Sequence, residues 1–283
     1  MLSERQLEAL PALGLVDVRL SFDLGPWTRL GIGGPADVLA VVPSPAVLAT
    51  VARWTRRERL ALTPMQQGTD VLVHAGGVRG LVVVLGDSWR SIGKCPEGFV
   101  LGGELKAREA AAQLDGESPA WLRGASGSVA NALVARDPHR ADGVSSVEVV
   151  LGRGVVQTVS VEELKTDSSR LGLRDEAVVA RVTLIPSHVD EPGPALPPRL
   201  PGVRMFRDPG RGSSAAELLV RAGLPGVRVR GAQIDEEHPN QMHVEHGATA
   251  HDVLLLTTWA RSKVAAESGV ELELAIRTLG ARL

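Results

Sequence analysis

"FRDPGRGSSAAELLVRAGLPGVRVRGAQIDEEHPN", Phe206–Asn240, combines turn, helix-cap and polar-loop signals in one run. It opens with a cation and an acid ahead of a Pro-Gly turn. Ser213 or Ser214 is placed to cap a helix over Ala215–Ala222, since a serine oxygen accepts from the first unpaired backbone N–H groups. Gly223 stops that helix. The run ends in a polar loop that continues to His246 and gathers acids with His238, His243 and His246. Their spacing matches no zinc pattern such as HExxH, so an exposed or ligand-lining loop is preferred to a metal centre. Just upstream, Arg204 and Arg207 flank Phe206 and pose the functional question: an anion site or a solvated loop.

Outward from this stretch the pattern stays mixed. Thr249 and Asp252 stand in capping-box positions. A helix from there to Gly269 would turn Val253, Leu256, Trp259 and Val264 inward. Glu271–Gly280 alternates and reads as a final strand. On the other side, His188–Gly202 holds five prolines and reads as a linker. Before it, Ala36–Pro43 reads as a strand. Ser44 and Pro45 then start a helix whose buried face is Val47, Leu48, Val51 and Trp54. Val71–Ala75 and Gly80–Gly86 are short β-branched runs bounded by glycines, hence strands. Gly98–Gly103 reads as a strand and Glu104–Leu114 as a helix. Val144–Leu164 reads as a hairpin turning at Gly152–Gly154, and Ala177–Pro186 as a strand closing that block.

Composition limits the function classes. The 283 residues suffice for two or three domains, and a net charge of −2 argues against a general nucleic-acid or membrane-surface binder. Aromatic residues are 3% and tyrosine is absent, so the cores must be built from Val, Leu and Ala. The single cysteine, Cys95, excludes an intramolecular disulfide, fits a reducing compartment and reads as inert. The opening "MLSERQLEALPALGL" lacks the blocks of a signal peptide, and no apolar run is long enough to span a bilayer. The expectation is a cytoplasmic protein with no membrane insertion.

Three segments are rich in small residues. "TRLGIGGPADV" (Thr28–Val38) places Gly31, Ile32, Gly33 and Gly34 before a strand, where backbone N–H groups could approach a phosphate. It is neither GxGxxG nor a P-loop, and a tight turn is the plainer reading. "QQGTD" (Gln66–Asp70) offers Gly68 and Thr69 to a phosphate, but Asp70 would repel one. "GASGSVANA" (Gly124–Ala132) could bring Gly127 and Ser128 against a flat ligand, or simply cap a helix at Ser128.

Taken in order, these motifs resemble one family, the MurB-type UDP-N-acetylenolpyruvoylglucosamine reductases, from Thr28 to Gly280. "GATAHDVLLL" and "GVELELAIRTLG" are similar to that family's last helix and strand. The resemblance implies an α+β fold. Two FAD-binding-type α/β subdomains, residues 1–87 and 88–187, would be followed by the linker 188–201 and a substrate domain, 202–283. It implies FAD held at Gly31, Ile32, Gly33, Gly34, Gly68, Thr69, Gly127 and Ser128. It implies NADPH as reductant, a role in peptidoglycan precursor synthesis, and a UDP-sugar or other anionic small molecule met by Arg204, Arg207 and Asn240. Cell-wall synthesis or division proteins are the implied macromolecular partners. In the family reaction a serine protonates the substrate, while a glutamate and an arginine stabilise the intermediate.

The family's three catalytic positions have all changed. Arg204 stands at the proton-donating serine, Ala275 at the glutamate and Asp167 at the arginine; Ser169 is kept. A guanidinium keeps its proton throughout the physiological range and is no proton donor at neutral pH. Asp208 replaces an asparagine beside Arg207, which stands where the family has lysine. Gln66 and Asp70 alter the phosphate loop, and Ala130 and Asn131 replace paired glycines. Three readings remain open: a working reductase with an unusual site, a fold retained without the chemistry as a binding or scaffolding protein, and a flavin or nucleotide binder with another substrate.

Overall fold

The structure, a computed structural model, describes residues 2–65, 71–114, 116–123, 127–134, 143–166, 177–186, 202–209 and 212–280. The chain divides into two compact units. One comprises Met1–Leu20, Val38–Gln67 and Gly80–Pro198; the other comprises Ser21–Asp37, Gly68–Arg79 and Arg199–Leu283.

In chain order the elements are α1 (Glu4–Ala9), β1 (Val16–Asp23), β2 (Pro35–Val42), α2 (Pro45–Arg57), β3 (Leu62–Met65), β4 (Val71–Val73), β5 (Val78–Leu85), β6 (Ile92–Cys95) and β7 (Gly98–Gly102). There follow α3 (Ala107–Gln113), α4 (Ala120–Arg123), α5 (Val129–Val134), β8 (Val144–Leu151), β9 (Val156–Ser160), α6 (Val161–Thr166) and β10 (Ala177–Leu184). The last are β11 (Val203–Arg204), α7 (Ala215–Arg221), β12 (Arg228–Val229), β13 (Ala232–Ile234), β14 (Gln241–Val244), α8 (Ala250–Ser268) and β15 (Arg277–Leu279).

In the first unit, a sheet of order β1-β2-β5-β3 packs on α2. Ser44 Oγ accepts from Val47 N at 3.4 Å, and Pro45 supplies the first helical residue, where its missing N–H costs nothing. The helix buries Leu48, Val51 and Trp54 against Val38, Ala40, Val42, Leu81, Val83 and Leu85, with Val47 partly buried beside them. This core also takes in Val150, Val178 and Ala180. The second sheet, order β6-β7-β10-β8-β9, packs on α3, α4 and α5. Here β10 lies at the centre, antiparallel to β7 and β8. The β8–β9 hairpin turns through Gly154, as the Gly-Arg-Gly triplet suggests, but from Val161 the expected strand is the helix α6.

In the second unit, the sheet β11-β14-β13-β12 and the parallel pair β4–β15 share a core with α7 and α8. Ser214 Oγ accepts from Glu217 N, and the Glu217 carboxylate accepts from Ser214 N, a reciprocal cap for α7. Thr249 and Asp252 do the same for α8, which ends at Gly269 with φ +69°, a left-handed turn that favours glycine. Val253, Leu256 and Val264 are buried, but Trp259 is 43% exposed, against the expectation. The helix is apolar on both faces, as in Leu254-Leu255-Leu256, so spacing alone did not identify the inner one. The expected strand over Glu271–Gly280 is strand only at Arg277–Leu279; Leu274 instead forms an isolated bridge to Phe206. Among the described residues no helix is long and apolar enough to cross a membrane.

Candidate functional site

The Arg204–Asp208 segment is built into the second unit from both sides. Met205 N donates to Asn240 O at 3.0 Å. Phe206 N donates to Asn240 Oδ1 at 3.0 Å, and Asn240 Nδ2 donates to Phe206 O at 2.9 Å. Asn240 is 8% exposed and Phe206 fully buried, so this amide supplies both hydrogen bonds that a buried backbone unit requires. On the other side Arg207 N donates to Glu273 O and Ala275 N donates to Met205 O, at 2.9 and 2.8 Å. Positions 204 and 275, seventy-one residues apart in sequence, therefore flank one backbone junction.

Arg204 extends along its own segment. Its Nε donates to Phe206 O at 3.0 Å and its Nη2 meets Asp208 Oδ2 at 2.6 Å. The second oxygen of Asp208 accepts from Ala215 N, the first residue of α7, at 2.9 Å. Arg207 Nη1 lies 3.7 Å from Glu273 Oε2, both side chains more than half exposed. Both arginines thus face carboxylates. The Arg204–Asp208 pair was not legible in sequence; an Arg-x-x-x-Asp spacing brings charges together on a helix, but here the segment is not helical and Asp208 is held in place by Ala215 N.

The glycine-rich segment Gly31–Gly34 is closed by Thr28. The Thr28 hydroxyl donates within reach of Gly25 O and Ile32 O and accepts from Ile32 N at 3.1 Å. A Cβ at Gly33 would stand 2.6 Å from Gly25 N, and one at Gly34 would stand 2.5 Å from Ala75 O. Gly31 differs: φ is +67° and nothing lies within 4 Å of the place a Cβ would take.

Gly127 and Ser128 sit at the head of α5. Gly127 O accepts from Ala107 N, and Ser128 bridges Lys106. Ala130 N donates to Gly103 O and its methyl lies in the core, fully buried. Gly68, Thr69, Asp167 and Ser169 lie outside the described residues.

The polar loop after β13 forms a separate cluster. Asp235 Oδ1 accepts from Glu237 N and His238 N, while Oδ2 meets His243 Nε2 at 2.6 Å. Burial pushes the Asp235 pKa up, but the hydrogen bonds from His238, His243 and Glu237 outweigh it and leave it below the ordinary value. Among the described residues no three His, Cys, Asp or Glu side chains are grouped as a metal site.

The C-terminal domain model of UDP-N-acetylenolpyruvoylglucosamine reductase matches residues 201–279. A reductase of that name from Gloeobacter violaceus is 34% identical over 280 residues, covering 89% of this chain and 93% of the relative. The chain belongs to the UDP-N-acetylenolpyruvoylglucosamine reductase (MurB) family. An Anaeromyxobacter reductase is 33% identical over 279 residues, covering 91% of this chain and 87% of the relative. The Thermus caldophilus MurB crystal structure superimposes with a TM-score of 0.67 at 23% identity, covering 93% of this chain and 98% of that one. This likeness agrees with the α+β architecture of a MurB member. Arg204, Asp208 and Ala275 fall on one junction.

Proposed function

We propose that this chain is a MurB-family protein that binds a UDP-sugar in its second unit and has lost the family's reduction of the enolpyruvyl group. The observation that carries the reading is the junction of Arg204 and Ala275 around Met205. If a serine and a glutamate act there in the family, this chain offers a guanidinium held by Phe206 O and Asp208, and a methyl group. A guanidinium does not donate its proton at neutral pH. A positioned general acid contributes about 10²–10⁴-fold, and a preorganised charge-stabilising group about 10²–10³-fold. With Asp167 in place of the arginine as well, the family reaction would slow by about 10⁴-fold or more.

FAD is the cofactor that membership suggests, and it supplies hydride chemistry when bound. Gly31, Ile32, Gly33, Gly34, Gly68, Thr69, Gly127 and Ser128 are the residues that would hold it. Gly31 fits that role, having open space beside a left-handed turn. Asp70 opposes it, since a carboxylate beside a diphosphate is repulsive. We therefore read the flavin site as weakened, and the pathway role as peptidoglycan precursor binding in the cytoplasm, with cell-wall enzymes as the macromolecular partners.

The test is a paired titration of the purified chain. UDP-N-acetylglucosamine binding by calorimetry is the expected result, with FAD bound more weakly than by the Asp70→Asn variant. Absence of UDP-sugar binding would overturn the reading.

A further inference from the structure

We propose that Asp208 sets the ligand class of this site, so that the chain takes a UDP-sugar carrying no carboxylate on its sugar. The inference rests on the UDP-sugar reading above and goes one step further, to the charge of the ligand.

Arg204 commits Nε to Phe206 O and Nη2 to Asp208 Oδ2. Asp208 is itself fixed, because its other oxygen accepts from Ala215 N at the start of α7. The carboxylate cannot swing away without giving up that bond. Arg207 faces Glu273, whose backbone carbonyl also holds Arg207 N. The junction therefore presents two cations matched by two anions. A carboxylate arriving at Arg204 would meet a guanidinium edge already occupied and would lie close to the Asp208 carboxylate, where like charges repel. A neutral hydroxyl meets no such repulsion and can still accept from the remaining guanidinium N–H groups.

Two probes differ in the required way. UDP-N-acetylglucosamine has a free hydroxyl, and UDP-N-acetylenolpyruvoylglucosamine carries an enolpyruvyl carboxylate. Both are titrated calorimetrically into the full chain, with UDP as reference. We expect the native protein to bind the hydroxyl form at least as tightly as the carboxylate form. Asp208→Asn keeps an Oδ1 acceptor for Ala215 N and removes the charge; it should shift the affinity ratio toward the carboxylate form by about tenfold. Asp208→Ser, whose hydroxyl can also accept from Ala215 N, should shift the ratio in the same direction and decides the matter if the first variant does not fold. A native preference for the carboxylate form, or a ratio that neither variant moves, overturns this proposal while UDP-sugar binding stands. Failure of UDP and both sugars to bind overturns the underlying reading, and the proposal with it.

Discussion

Arg204 Nη2 and Asp208 Oδ2 lie 2.6 Å apart, and the other Asp208 oxygen accepts from Ala215 N at the start of α7. An isolated exposed pair of this kind contributes only about 0–1 kcal/mol to stability. Its consequence is chemical, because it fills the junction with a group that cannot protonate a substrate. The Arg204→Ser variant should therefore show no reductase turnover, since Ala275 and Asp167 remain and Asp208 is left without its cation. Detection of UDP-N-acetylmuramate from that single change would mean that the positions are misregistered.

Asn240 is expected to matter more for folding than for ligand contact. Asn240→Ala strips the partner from the buried N–H of Phe206 and leaves Phe206 O with the Arg204 Nε bond alone. Leaving one such group unsatisfied costs about 1–3 kcal/mol. Denaturant unfolding should show that loss, and Asn240→Asp should also destabilise because a carboxylate cannot donate to Phe206 O.

The glycines of the Gly31–Gly34 segment should separate in an alanine series. Gly34→Ala and Gly33→Ala press a methyl onto backbone at 2.5 and 2.6 Å, which no rotamer change relieves. Gly31→Ala meets nothing and carries only the left-handed strain, about 1–2 kcal/mol. Thermal melts should rank Gly31→Ala as the mildest of the three. Equal losses would contradict the packing described.

The caps of the second unit predict a pH dependence. The Asp252 pKa is held below the ordinary carboxylate value, chiefly by the Thr249 backbone N–H, and Asp235 is lowered as well. For a lowered folded pKa the stabilisation is present above the unfolded value, about 3.9, and is lost as pH falls through the folded one. Stability should therefore be insensitive to these groups from neutrality to about pH 5 and fall below about pH 4. Asp252→Asn should flatten that fall, and Thr249→Ala should cost about 1 kcal/mol at neutral pH.

Much of the scaffold was legible because its signals are local. Ser44-Pro45, Ser214 with Glu217, and Thr249 with Asp252 cap their helices through neighbours three residues away. The features that were not legible depend on distant partners. Trp259 faces outward because the Val253–Trp259 part of α8 has apolar residues on both faces and tertiary contacts choose the inner one. The alternation of Glu271–Gly280 does not produce a full strand: its pairing is split between a single antiparallel bridge to Phe206 at Leu274 and the parallel ladder with β4 at Arg277–Leu279. At the site, Arg204, Arg207 and Asn240 could be singled out from sequence, but the Arg204–Asp208 pair and the Asn240 clamp on Phe206 required the fold.

The central claim is tested by turnover of the native chain. Purified protein is supplied with FAD, NADPH and UDP-N-acetylenolpyruvoylglucosamine, and UDP-N-acetylmuramate is measured by mass spectrometry beside an active family member. The account predicts no product above the protein-free control. Product formed at a rate comparable to the active relative would contradict it.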